Sequence, residues 1–196
     1  MGLFDAKYCG VCGEKIKFLG NRKLEDADMC KKCAEKLSPF MTDRRKTTLE
    51  EIKEHLAYRE ANKAEVEKFN ATSQYGENTK VLVDDAAGNF IVTSSSHWMS
   101  ENPDIIPIAK VMGVISEVSE YKHEVKMKDK EGNEIAFDPP RYDIEYDFYV
   151  RISVNSRWFD EIRFKVNNNR IEANNPARYM EYDRKINEIR EALLKK

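Results

Sequence analysis

The spacing of apolar residues changes twice along this 196-residue chain. Between residues 49 and 69 apolar side chains recur at steps of three and four, which predicts an amphipathic helix. From Asn70 the period becomes two, which is typical of β-strands with one buried face and one wet face. From Asn175 the helical spacing returns. The pattern therefore predicts an α+β protein.

The helix over residues 49–69 is predicted to link two modules. The threonines that precede Glu50 and Glu51 form a capping-box signature at its start. Its apolar stripe is interrupted at Arg59 and Lys63, so we expect a spacer helix with one packed side. A helix that simply lies on its neighbours is the alternative.

Seven strands are predicted after this helix, because alternating segments are separated by turn-forming residues. We assign the strands to residues 80–84, 90–93, 111–119, 121–128, 134–137, 146–154 and 158–166. Asn175-Pro176 then starts a helix whose apolar stripe must be covered, by the sheet or by a partner helix. Residues 71–196 are thus predicted to form a small open antiparallel barrel of the pleckstrin-homology (PH) type, with the C-terminal helix plugging one end.

The four cysteines of the chain all lie near its start. Cys9, Cys12, Cys30 and Cys33 form two Cys-x-x-Cys pairs separated by 17 residues, a spacing at which two short turns converge on one tetrahedral ion. Four thiolates leave no exchangeable position, which favours one structural Zn²⁺. An iron centre, two disulfides or a redox pair are the alternatives.

The segments around the cysteines predict a tight turn at Cys9 and Cys12, here called the knuckle, then a hairpin, and then a helix that carries the last two ligands. This order is treble-clef-like and gives a zinc domain over residues 1–40, with residues 41–70 as the linker. Because so few apolar residues are present there, we expect this domain to be unfolded without metal.

Composition narrows the classes of function. A net charge of −2 argues against a protein held on a polyanion by bulk electrostatics. No apolar run approaches the ~18–20 residues that cross a bilayer, and no targeting segment is evident, so we expect a cytoplasmic protein without a transmembrane segment. No Gly-rich phosphate loop or dinucleotide fingerprint indicates a small-molecule cofactor.

Three stretches of the chain resemble a bacterial family of unknown function that has an N-terminal four-cysteine zinc domain. They are the run Tyr8-Cys9-Gly10-Val11-Cys12-Gly13-Glu14-Lys15, the run Cys30-Lys31-Lys32-Cys33, and the helix followed by Asn70-Ala71-Thr72. The resemblance implies a PH-like β domain after the zinc domain, but no activity. Ala27 before Asp28 departs from the family's tendency to an acidic residue followed by glycine, which concerns the tightness of that turn.

A catalytic site would need a nucleophile, a base and an orienting group that converge. Of the three histidines, His55 is expected to be solvated on the linker helix, and His123 is expected on a packed strand face. His97 and Trp98 fall in one serine-rich loop, and loops of this kind carry function more often than strands do. Adjacent loop residues do not make a triad, so we predict a non-enzymatic protein.

Two further sets of residues are candidates for binding. Arg141 and Tyr142 follow a stiff Pro-Pro turn and have side chains favoured at binding hot spots, although a rigid connection without a role explains them as well. The basic residues near the zinc site are Lys31, Lys32, Arg44, Arg45 and Lys46.

The charge of the N-terminal segment separates the candidate functions. Residues 1–48 hold 11 Lys or Arg and 7 Asp or Glu, and a zinc site of four thiolates reduces the net charge to about +2. That is a thin footprint for nucleic acid. We therefore predict a protein-interaction or adaptor protein, with nucleic-acid binding as the alternative and acidic-lipid binding by the β domain as a third possibility.

Overall fold

The computed structural model describes residues 6–17 and 19–194. Its N-terminal part contains a two-stranded antiparallel hairpin, β1 (Asn21–Lys23) and β2 (Asp28–Cys30), which leads directly into α1 (Lys31–Ala34). A 3₁₀ turn at Arg44–Lys46 precedes the long helix α2 (Leu49–Lys68). The predicted order of knuckle, hairpin and helix is present, but α1 is a single turn.

The remaining strands form two antiparallel sheets. The first sheet has the order β3-β4-β5-β6, and in the second β8 pairs with β7 on one side and with β9 and β10 on the other. The strands are β3 (Ser73–Gly76), β4 (Lys80–Asp84), β5 (Asn89–Thr93), β6 (Ile106–Pro107), β7 (Val111–Lys128), β8 (Glu134–Val154), β9 (Glu161–Lys165) and β10 (Ile171–Glu172). Between β5 and β6 lies α3 (Trp98–Glu101), and a 3₁₀ turn at Ile108–Lys110 connects the first sheet to the second.

The mixed α+β class is confirmed, but the barrel is not closed. Among the described residues, β6 pairs only with β5 and β7 pairs only with β8, so neither sheet continues into the other. The two sheets instead bury their inner faces against each other and against the C-terminal helix.

The hairpin of β7 and β8 is longer and more continuous than predicted. The predicted interruptions near residues 120 and 138–145 are wrong, because both strands run through them. A register shift accommodates the proline pair: Val125 pairs with Arg141 and Lys126 pairs with Ala136, so residues 137–140 bulge out of the ladder. Proline is tolerated there because a bulge needs no ladder N–H. The Asp138–Pro139 peptide is cis.

The C-terminal helix α4 (Pro176–Leu194) closes the core as the sequence predicts. The side chain of Asn175 caps it, because its Oδ1 accepts a hydrogen bond from the Arg178 amide at 3.2 Å. Its apolar stripe is buried against both sheets, so no partner helix is needed to cover it. The buried stripe consists of Tyr182, Ile186, Ile189 and Leu193.

The long helix α2 begins with the predicted capping box. The Glu51 amide donates to Thr48 Oγ1 at 3.3 Å, and Glu51 Oε2 accepts from the Thr48 amide at 2.8 Å. Ile52 packs into the apolar cluster around the cysteines, whereas Phe69, which caps the other end, packs on the first sheet. No helix among the described residues is long and apolar enough to cross a bilayer.

The middle of α2 carries a buried polar network that the sequence did not indicate. Arg59, predicted to interrupt the apolar stripe, is buried and its Nη1 lies 2.7 Å from Asp104 Oδ1. Asp104 Oδ2 also accepts from the Ser38 hydroxyl at 2.8 Å. The Asn62 side chain donates to the carbonyl of Pro103 at 2.7 Å. The ion pair and the Ser38 hydrogen bond thereby join α2, the segment that follows α1 and the loop between β5 and β6.

Replacing Arg59 should destabilise the protein strongly. In an Arg59→Met variant the buried Asp104 carboxylate loses its charged partner, and we expect the free energy of unfolding to fall by about 3–5 kcal/mol in urea titrations. Adding Asp104→Asn should recover part of the loss, since no unpaired charge is then buried. The matched control is Lys63→Met, one turn away on the exposed face, which should change stability by less than about 0.5 kcal/mol. Equal losses for the two single variants would contradict the structural role of the pair.

Candidate metal centre

The four cysteine sulfurs converge on one point. All four Sγ atoms lie within 4.8 Å of one another, and Cys12 Sγ is 3.8 Å from Cys30 Sγ. A tetrahedral ion with four bonds of about 2.3 Å requires sulfur–sulfur separations of about 3.8 Å, whereas a disulfide requires about 2.05 Å. The sulfurs are free and not bridged. The donor set therefore fits Zn²⁺, which the four thiolates would hold with no vacant position.

Two glycines shape the knuckle that carries Cys9. Gly13 has φ +74°, a left-handed conformation that favours glycine, and its amide donates to the Cys9 carbonyl at 2.8 Å. Gly10 allows close packing, because a Cβ added there would lie 2.8 Å from Leu49 Cδ2 at the start of α2. The Gly10 amide also donates to the Asp28 carbonyl at 2.8 Å, which ties the knuckle to the hairpin.

Backbone amides stabilise the thiolate of Cys9, whereas the surroundings of Cys33 disfavour its thiolate. Burial raises the pKa of the Cys9 thiol, but the amides of Cys12, Cys30 and Val11 outweigh it and bring the pKa to about 6. For Cys33, burial and the neighbouring sulfurs both raise the pKa. Four thiolates at this separation need a cation between them, and Zn²⁺ when bound would neutralise part of their charge and fix the segments that carry them.

The apolar cluster around the sulfurs is small. Its buried members are Cys9, Ile16, Leu24, Met29, Cys30, Cys33 and Ile52, so three of the seven are themselves proposed ligands. Without the ion, four buried apolar side chains remain to hold the knuckle, the hairpin and α1 together. The arrangement agrees with the expectation that metal supplies most of the stability of this unit.

The basic residues predicted near the site are partly engaged within the chain. Lys31 Nζ lies 3.5 Å from an oxygen of the Glu35 carboxylate at the C-terminal end of α1. Lys46 lies 3.6 Å from Asp43. Lys32 is exposed on α1 beside Cys33.

The structure adds a third arginine to Arg44 and Arg45. The pKa of Arg44 is lowered first by burial and then by the positive charges of Arg22 and Arg45. Arg22 lies on β1, far from the other two in sequence, so no local pattern could have identified it. These three residues form what we call the guanidinium cluster.

Trp98 and His97, the two candidates in the serine-rich loop, have different surroundings in the structure. The Trp98 ring is half-buried and meets the Phe69 ring edge-on, with centroids 5.6 Å apart. It covers the outer face of the first sheet beside Leu82 and Ile91. His97 precedes α3 and is exposed.

Arg141 and Tyr142 lie on the distal part of β8, not at the metal centre. The Arg141 guanidinium carbon is 4.5 Å from the centroid of the Phe137 ring. The Tyr142 side chain points outward and is 53% exposed. The stiff turn expected at the proline pair is instead the bulge in β8.

The expectations for the other two histidines are wrong. His55 is fully buried, where its Nε2 accepts from the Ser38 amide at 3.0 Å and its ring lies 4.9 Å from Trp158. His123 is exposed, with Nε2 3.3 Å from a Glu145 carboxylate oxygen. The hydrophobic periodicity did not predict the burial of His55, because His55 lies on the same helix face as Arg59. Arg59 is buried only because it pairs with the carboxylate of Asp104, which is distant in sequence.

The burial of His55 predicts an acid-sensitive fold. Burial, assisted by the charge of Arg59, lowers the pKa of His55 from 6.5 to about 4. Below pH 6.5 the unfolded chain binds a proton that the native protein does not, so the free energy of unfolding falls as pH decreases toward 4. The loss is about 1.4 kcal/mol per pH unit and about 3 kcal/mol in total, relative to a variant without this histidine.

The comparison that isolates this effect is His55→Gln against His97→Gln. Urea titrations from pH 7.5 to pH 4 should show a shallower pH dependence for His55→Gln than for the wild type, whereas the exposed-site variant should follow the wild type. Parallel curves for His55→Gln and the wild type would contradict a buried neutral imidazole.

Metal binding should be measurable directly. We expect one equivalent of zinc per chain by elemental analysis, and its loss in Cys33→Ser, with a cost on the order of 10 kcal/mol to the N-terminal unit. Hydrogen exchange in residues 7–55 should then rise while β8 and β9 stay protected. The neighbouring Ala34→Ser is the control and should keep the metal. A wild-type protein with far less than one equivalent, or with exchange unchanged by chelation, would contradict the assignment.

A family model matches the N-terminal part of the chain. The model described as "Domain of unknown function (DUF4428)" matches residues 7–55, about a quarter of the chain. The span contains all four cysteines and extends into α2, in agreement with the resemblance seen in the two cysteine motifs. Searches of curated proteins and of solved structures gave no match.

Proposed function

We propose that this is a non-enzymatic interaction protein whose N-terminal unit, held by one structural Zn²⁺, contacts another protein. The observation that carries the proposal is a closed set of four sulfurs in an N-terminal unit that also exposes apolar side chains. Four thiolates fill every position of a tetrahedral ion and leave none for a substrate. In the same N-terminal unit, Tyr8, which precedes Cys9, is 61% exposed and Leu19 is 85% exposed.

These two side chains lie on backbone that is fixed by hydrogen bonds within the N-terminal unit. Tyr8 pairs with Lys15 through an antiparallel bridge that closes the knuckle. Leu19 sits in a turn in which the Gly20 amide donates to the Lys17 carbonyl at 2.8 Å. Tyrosine is favoured at the centres of protein interfaces, and a residue as exposed as Leu19 gains free energy when a partner covers it.

The finer assignments rest on the order of elements. A knuckle, a hairpin and a helix that carries the last two cysteines support a treble-clef zinc unit. Two antiparallel sheets with a C-terminal helix in their core support a PH-like second domain. Thiols kept free as metal ligands support a reducing, cytoplasmic location, and the family resemblance supports a bacterial source.

The ion pair of Arg59 and Asp104 supports a scaffolding role for the whole chain. It connects the zinc unit, through α2 and Ser38, to the loop between β5 and β6 of the first sheet. A partner held on the zinc unit is thereby kept in a defined orientation to the β domain. Such an orientation is what an adaptor requires.

Nucleic-acid binding is the second candidate, and one observation favours it. The guanidinium cluster of Arg22, Arg44 and Arg45 concentrates positive charge where an anion would relieve repulsion. Against it, Lys31 and Lys46 are already paired with carboxylates. Binding of a labelled oligonucleotide that weakens steeply with salt and is lost on alanine substitution of the cluster would favour this candidate over protein binding.

Affinity purification with the zinc-loaded full chain tests the proposal. Partners that co-purify with the wild type should be lost with Tyr8→Ala/Leu19→Ala, because the exposed apolar contact is removed while the metal site is kept, and with Cys30→Ser/Cys33→Ser. The matched control is Met99→Ala/Met180→Ala, which trims side chains that are 66% and 71% exposed outside the zinc unit. The same set of partners with all four proteins would refute the zinc unit as the binding surface.

A further inference from the structure

The distal part of the hairpin of β7 and β8 extends beyond the rest of its sheet. β9 pairs with β8 at residues 149–153 and β10 pairs with it at residues 145–146. Residues 122–128 and 134–144 therefore form a two-stranded ribbon with no third strand among the described residues. A two-stranded ribbon by itself is marginally stable in water, so an additional strand would stabilise it.

The two edges of this ribbon differ in their capacity to accept a strand. The edge of β8 is interrupted by the bulge at Pro139 and Pro140, which cannot donate ladder hydrogen bonds. The edge of β7 contains no proline and no inserted residue beyond Gly113. Its first part is covered at Val114, whose carbonyl accepts from Arg190 Nε at 3.1 Å. Its distal part is open to a partner.

The charges on this open edge are arranged antisymmetrically. Glu120, Lys122, Glu124 and Lys126 share one face of β7 at the two-residue period of a strand. Reflection through His123 exchanges Glu120 with Lys126 and Lys122 with Glu124. Lysines at an edge usually discourage pairing, but here each one would meet a glutamate of an antiparallel copy.

We propose that two copies of this chain pair through the distal edge of β7, antiparallel and about a two-fold axis at His123. Each dimer then contains four oppositely charged pairs on one face. On the other face, Tyr121 of one copy meets Val125 of the other, an aromatic and β-branched pair of the kind that stabilises sheets. The contact is closed, because a two-fold axis pairs the same surface on both copies.

Neighbouring registers fit less well. An axis at Lys122 places Glu120 opposite Glu124, and an axis at Glu124 places Lys122 opposite Lys126. An axis at Tyr121 keeps only the two pairs between Glu120 and Lys122. The charge pattern therefore selects His123, and the pairing spans residues 118–128, short of the part of the edge that Arg190 covers.

This inference goes beyond the proposed function, since it uses neither the metal nor the exposed residues of the zinc unit. Its test is sedimentation velocity of the zinc-loaded full chain from about 1 to about 200 µM, where mass action should convert monomer to dimer. Lys122→Glu places like charges opposite each other at two symmetry-related contacts, and should raise the dissociation constant about tenfold or more. Glu124→Lys should do the same.

The double variant Lys122→Glu/Glu124→Lys restores opposite charges and should recover the wild-type dissociation constant. Lys130→Glu makes the same charge change in the hairpin turn and should leave dimerisation unchanged. A wild-type protein that is monomeric throughout, or single variants that dimerise like the wild type, would overturn the proposal. A double variant weaker than both singles would overturn the register.

A cross-link reports the axis independently. His123→Cys places two thiols opposite each other across the two-fold axis, so mild oxidation of the zinc-loaded protein should give a covalent dimer. Lys130→Cys should remain monomeric at the same concentration. Equal cross-linking of both variants, or none with His123→Cys, would overturn the assignment of the axis.

Discussion

Four sulfur atoms within 4.8 Å of one another are the constraint from which the N-terminal unit of this protein is built. Thiolates that close repel each other, and only a cation between them makes the knuckle, the hairpin and α1 a stable arrangement. The local backbone favours the binding of an ion, because Gly13 closes the knuckle and amide groups stabilise the Cys9 thiolate. The start of α2 then packs on this unit through Ile52 and against Gly10.

The influence of the metal centre reaches the β domain through α2. The helix is buried along a stripe that contains His55, Arg59 and Asn62 as well as apolar residues. Each of these polar side chains has a specific partner in the segment after α1 or in the loop between β5 and β6. A polar interface of this kind fixes the orientation of the helix more than it adds to the free energy of unfolding. A buried ion pair stabilises little more than apolar packing does, but an arrangement that leaves either charge unpaired is strongly destabilised.

The sequence predicted those features whose signals are local. The cysteine spacing, the capping box before α2 and the Asn175 cap of α4 each depend on residues a few positions apart, and each is present. Features that depend on partners distant in sequence were not predicted. Arg59 looked like a solvated break in the stripe because Asp104, which pairs with it, is 45 residues away.

The wrong strand predictions also arise from contacts with residues distant in sequence. Proline at 139 and 140 signalled a break, yet the partner strand β7 lets β8 bulge and continue. Short strands such as β6 and β10, two residues each, carry no periodicity that a sequence could reveal. The open barrel was inferred from the number of strands, whereas closure depends on edge pairing, which periodicity does not encode.

A link between the two proposed surfaces follows from the geometry of the chain. The open edge of β7 belongs to the second sheet, and the exposed Tyr8 and Leu19 belong to the zinc unit, so the two proposed contact surfaces share no residue. Two copies of a small contact act together once a partner is itself multivalent, and avidity then raises affinity by 10²–10⁴ without any new contact. A surface of two apolar side chains is weak in a monomer. Presented twice by the proposed dimer, such a surface would bind a multivalent partner more tightly than a single copy does.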